Sequence, residues 1–95
     1  MVQPSLTTVT VFRRHYGRRY TDLPVEQIDR EGMTIDCAET YMRPAHYDLR
    51  TGDLVRWRQG DRFVEAVISD VRRDESAVQI TLVDARLLPP EYFPY

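Results

Sequence analysis

The stretch from Gly52 to Val71, GDLVRWRQGDRFVEAVISDV, constrains the fold more than any other part of the chain. Two runs of alternating apolar and polar residues flank Gln59-Gly60-Asp61. A repeat of two with a glycine turn between the runs is the pattern of an antiparallel hairpin. Val55 and Trp57 then share one face, and Val64, Ala66 and Ile68 share the inner face opposite them. A chain of 95 residues holds a single core, so the rest of the sequence has to complete the sheet that this hairpin begins.

The flanking segments supply the strands. SLTTVTVFRR alternates and is rich in threonine and valine, which predicts a strand from about Leu6 to Arg13. Val9 and Val11 face the core there, while Thr8, Thr10 and Phe12 face away. Gly17 marks a turn or bulge. TDLPVEQIDREG offers Asp22 as a helix cap, Pro24 in a first turn, Val25 and Ile28 three apart and Gly32 as a stop. This predicts one or two helical turns, with a loop as the alternative. GMTIDCA places Met33, Ile35 and Cys37 on one strand face, and ETYMRPAHYDLRTG is a connecting loop around Pro44. RRDES is a polar turn, and AVQITLV turns Val78, Ile80 and Leu82 inward. The expected fold is therefore all-β and mainly antiparallel, a small barrel or sandwich of five to six strands with at most one short helix. Residues 1–86 form the domain and residues 87–95 an extended proline-aromatic tail.

Catalytic and metal-binding signatures are missing. His15, His46 and Cys37 have no C-x-x-C or H-x-x-x-H spacing, and Cys37 falls in a strand rather than on an exposed turn. Ser5, Ser69 and Ser76 lack nucleophile contexts, and four scattered glycines cannot build a phosphate loop. The expectation is a non-enzyme without cofactor or metal. A single cysteine suits a reducing compartment, and neither a secretory leader pattern nor a long apolar run is present. These features predict a cytoplasmic protein with no membrane contact.

Charge is distributed in blocks. FRRHYGRRY, Phe12 to Tyr20, holds four arginines and no acid, whereas residues 21–40 hold six acids against Arg30 alone. All 13 basic residues are arginine, through the codon usage of a GC-rich genome or through selection of the planar guanidinium fork. The formal net charge of −2 gives no global basic excess. As a continuous strand, the basic stretch would put Phe12, Arg14 and Tyr16 on one face and Arg13 and His15 on the other. Adjoining blocks of opposite sign favour head-to-tail contact between copies. On this reading Arg13, Arg14, Arg18 and Arg19 meet Glu26, Asp29 and Glu31 of a neighbour, and Tyr92, Phe93 and Tyr95 form a docking arm. The alternative is a nucleic-acid surface of Arg13, Arg14, Tyr16, Arg18, Arg19 and Tyr20.

Two families carry a resemblance. The segment from Gly52 to Leu82 resembles the SH3-like barrels of the KOW and Tudor type, in which G-D-x-V opens a strand. A longer stretch is similar to the head-completion, or head–tail connector, proteins of long-tailed bacteriophages. It comprises VTVFRR, REGMTIDCAETY, the proline loop MRPAHYDLRTG and the D-x-V-x-W-x-x-G-x-x-F hairpin from Asp53 to Phe63. The loop after the first strand is shorter than in that family, and the proline-aromatic tail is unusual for it. The resemblance implies a ring-forming barrel that helps to close the DNA exit channel and joins portal to tail. Its partners would be other copies of itself and neighbouring assembly proteins. A small phage-encoded inhibitor of a host protein is the remaining class.

Overall fold

In the computed structural model, residues 7–38 and 42–89 are described. Seven strands form one curled antiparallel sheet: β1 (Thr7–Arg13), β2 (Gly17–Val25), β3 (Gln27–Ile28), β4 (Gly32–Asp36), β5 (Leu54–Gln59), β6 (Arg62–Arg73) and β7 (Ala77–Leu87). Their order across the sheet is β2-β1-β5-β6-β7-β4-β3. The two edge strands, β2 and β3, are separated in the chain by Glu26 alone, whose N–H donates to the carbonyl of Thr34 on β4 at 2.9 Å. The chain itself thus carries one edge of the sheet round to the other, and the fold is barrel-like.

The alternation read from the sequence holds on β1, β4, β5, β6 and β7. Val9, Val11, Met33, Ile35, Val55, Trp57, Val64, Ala66, Ile68, Val78, Ile80 and Leu82 are all buried in one core. Cys37 is buried at its edge, and burial pushes its thiol pKa up.

The stretch from Thr21 to Ile28 is strand on either side of a bend at Glu26, not the helical turn or loop expected, and this brings the strand count to seven. Thr8 pairs with Pro24. Pro24 is tolerated because β2 lies at the sheet edge, where a missing N–H breaks no second ladder. Two register shifts in the β1–β2 pair, at Val9/Val11 and Val11/Phe12, place extra residues in β2. Asp22, in the first of these bulges, has a φ of 54°. Bulges bend a strand and increase its twist, which curls this edge toward β4 and turns Leu23 and Val25 into the core.

The only helical turn among the described residues is the 3₁₀ segment Pro44–His46. It opens a connection that does more than link strands, since Tyr47 and Leu49 are both buried in the core. The packed domain reaches Leu88, two residues past the expected boundary. Leu88 is buried, and its N–H donates to the Phe63 carbonyl at 2.8 Å.

Candidate functional site

The basic stretch is a hairpin tip and not a continuous strand. β1 ends at Arg13, which pairs with Gly17, and Arg14-His15-Tyr16 make the turn. Tyr16 N–H donates to the Arg13 carbonyl at 3.0 Å. His15 has a φ of 70° and Gly17 of 85°, and this pair of left-handed residues ends the alternation expected to run on to Tyr16.

Arg13, the next inward position after Val9 and Val11, projects over the end of the core. Its Nε and Nη2 donate to the Asp53 carboxylate at 3.2 and 3.1 Å, and its Nη1 donates to Asp48 Oδ2 at 3.0 Å. Nη2 also reaches the Asp48 carbonyl at 2.9 Å. Arg19 Nη2 and Arg50 Nε reach the same Asp48 carboxylate at 2.5 and 3.0 Å. Tyr20 completes the clamp, its hydroxyl accepting from Asp48 N–H at 2.9 Å. From the other side, Arg73 donates to the carbonyls of Pro44, Tyr47 and Leu49 at 3.1, 2.9 and 3.3 Å. Three of the nine residues of FRRHYGRRY, Arg13, Arg19 and Tyr20, therefore hold the 44–53 connection over the core of the same chain.

The electrostatics follow from this geometry. Hydrogen bonds from Arg13, with those of Arg50 and Arg19, hold the Asp48 carboxyl well below the usual carboxylate range. On the outer face of the sheet, burial pushes Glu65 up. Its bonds from Arg56 at 2.7 Å and Arg86 at 2.9 Å outweigh that, so the net shift is down. Asp74 is also lowered, by the Ser76 and Ala77 N–H groups that close the β6–β7 turn at 2.8 Å each. A carboxylate whose folded pKa lies below its unfolded one stabilises the fold in full above the unfolded value, near 4. That stability is lost as pH falls toward the folded value. The denaturation midpoint is expected to stay level from about pH 7 to 5 and to fall below that. Asp48→Asn should flatten the fall, as a urea titration at each pH will read.

What the tip offers to solvent is Arg14, His15 and Tyr16, the Tyr16 side chain being 84% exposed. Arg18 lies over the Phe12 ring at 5.6 Å. A groove of about 320 Å³ at the tip is lined by Arg13, Tyr16, Gly17, Arg18, Arg19 and Arg50. No family model, curated protein or solved structure matches the chain.

The acids of the second block lie elsewhere. Thr7, at the opposite end of β1 from Arg13, pairs with Val25, and Glu26 follows it directly. Asp29 Oδ1 accepts from the N–H groups of Glu31 and Gly32 at 2.7 and 3.0 Å, which shapes the β3–β4 turn. Asp29 and Glu31 line a groove of about 510 Å³ together with Thr7, Trp57 and Gln59, and Arg30 and Arg58 line it too. The six residue steps of β1 set the basic tip and this acidic turn about 20 Å apart. Glu26, Asp29 and Glu31 are therefore not brought to Arg14 or Arg18 within one molecule. Tyr92, Phe93 and Tyr95 lie outside the described residues.

Sequence reasoning did not find Asp48, Asp53 or Arg73. The signal available was the apolar alternation of Tyr47 and Leu49 inside an apparent loop, which marks a buried segment needing polar anchors. Among the described residues no group of three or more His, Cys, Asp or Glu side chains could hold a metal ion. No helix among them is long and apolar enough to cross a membrane.

Proposed function

We propose that the protein is a non-enzymatic assembly component that acts through protein–protein contacts, in the manner of a phage head–tail connector. One observation carries this reading: an arginine-rich tip and an acidic turn occupy opposite ends of β1 and β2, about 20 Å apart. Opposite charges at opposite ends cannot satisfy each other within a copy and are complementary between copies. Such a heterologous contact, repeated, closes into a ring when its rotation permits. Arg14, Arg18 and Arg19 are exposed at the basic end beside the exposed Tyr16, and an exposed aromatic beside arginines suits a contact anchor. The barrel-like sheet and the resemblance of Arg30 to Val67 to connector proteins point the same way. A protein of this kind is made in the host cytoplasm and finishes in the virion, between portal and tail.

Charge reversal tests the contact. Arg14→Glu and Glu26→Arg are each expected to lower self-association by at least about tenfold in sedimentation velocity, as loss of a close charge pair does. Mixing the two variants restores association, because the reversed ends are again complementary. If both variants associate as the parent does, the head-to-tail contact is wrong.

A further inference from the structure

The outer face of the sheet, away from both ends, carries a second constellation that strand pairing assembles from distant parts of the chain. Register places Thr10 of β1 beside Arg56 of β5, Arg56 beside Glu65 of β6, and Glu65 beside Arg86 of β7. One step along, Arg58 stands beside Phe63. Because Val9, Val11, Val55, Trp57 and Val64 point inward, Thr8, Thr10, Phe12, Arg56, Arg58 and Phe63 all point out. The Arg56 guanidinium lies over the Phe12 ring, 4.4 Å from its centroid, and Glu65 fixes it from the side at 2.7 Å. Arg18 lies over the same ring at 5.6 Å. These side chains surround a groove of about 540 Å³, which Thr8, Thr10, Arg18, Arg56, Arg58 and Phe63 help to line.

The chemistry of this face is unlike that of either end. Four arginines (18, 56, 58 and 86) stand against Asp22 and Glu65, which leaves two positive charges on a protein of formal net charge −2. Arg56 is presented as a flat, immobilised plane, since the aromatic ring below and the carboxylate beside it have already removed its rotamer freedom. Phe63 adds a half-exposed ring and two threonines add neutral hydroxyls. Flat guanidinium and aromatic surfaces accept stacked bases, flanking arginines accept phosphate oxygens, and hydroxyls bond to sugars and base edges. The stacked planes on an open sheet face are explained by unpaired bases, which a duplex keeps hidden.

We propose that the outer face of β1, β5 and β6, centred on Phe12, Arg56, Arg58 and Phe63, binds single-stranded nucleic acid. The site shares Arg18 with the groove at the hairpin tip and Arg58 with the groove at the acidic turn, and its centre, Phe12, Arg56 and Phe63, belongs to neither groove.

Fluorescence anisotropy with a labelled oligothymidylate of about 12 nucleotides, and with a duplex of equal length, tests it at about 50 mM salt. The single strand is expected to bind at least tenfold more tightly than the duplex. Its affinity should fall with added salt at a log–log slope of about −2, which corresponds to about three phosphates on a single strand. Arg58→Glu, an exposed change, should weaken binding by about tenfold or more. Phe63→Leu should weaken it by about fivefold or more with the salt slope unchanged, because a base stack and not a phosphate contact is lost. Circular dichroism melting checks that both variants fold. Absence of binding at low salt, equal affinity for the duplex, or parental affinity in both folded variants would overturn the proposal.

Discussion

Arg13→Ala is expected to lower stability by about 3 kcal/mol, read from urea denaturation at pH 7. The side chain of Asp53 is only 4% exposed, and two of its three described hydrogen bonds come from Arg13. After the substitution only the Arg50 N–H, at 3.0 Å, remains to hold that carboxylate. An almost buried charge left short of partners costs more than the pair contributed in the first place. The same change removes the bonds from Arg13 to the Asp48 carbonyl and carboxylate, and leaves Arg19, Arg50 and Tyr20 to hold Asp48 in the segment that seats Tyr47 and Leu49 in the core. Arg13→Lys should recover only part of the loss, because an ammonium cannot span both carboxylates as the guanidinium fork does. Parental stability in Arg13→Ala would show that the clamp does not hold the connection.

Gly32→Ala should cost about 2 kcal/mol, although it adds one methyl group and lies at a strand start. A Cβ at position 32 would stand 2.8 Å from the carbonyl oxygen of Ile80. That oxygen belongs to β7, which is bonded on its other side to β6, so it cannot move without disturbing two ladders. The carbonyl of the preceding Glu31 also accepts the Leu82 N–H at 2.9 Å, which fixes this approach. Ser or Ala at position 32 should lower the thermal midpoint alike, since both add the same Cβ. A midpoint equal to the parent's would mean that the two strands separate freely here.

Strands with an uninterrupted repeat of two were legible in the sequence. Val55, Trp57, Val64, Ala66 and Ile68 read as a core hairpin, and they form one. β2 was not legible, because its two bulges break the repeat and Pro24 argues against a strand to any reader who cannot see that it lies at an edge. The two charge blocks were visible in the sequence, but the distance between them depends on where β1 and β2 turn. The clamp was invisible for a different reason. Arg13 is 35 and 40 residues from Asp48 and Asp53, and only sheet closure brings them together. The outer-face row of Thr10, Arg56, Glu65 and Arg86 likewise exists only once register is set. FRRHYGRRY is consequently two things at once. Arg13, Arg19 and Tyr20 hold the fold together, and Arg14 and Tyr16 face outward at its tip.

The central claim, that copies join end to end through opposite charges, is tested most directly by the solution mass. Size-exclusion chromatography with light scattering, across protein concentration and at low and high salt, reads it. The account predicts a mass that is a multiple of the 11.2 kDa chain at high concentration and low salt, and that falls toward one chain as salt rises. A mass of one chain under every condition would contradict it.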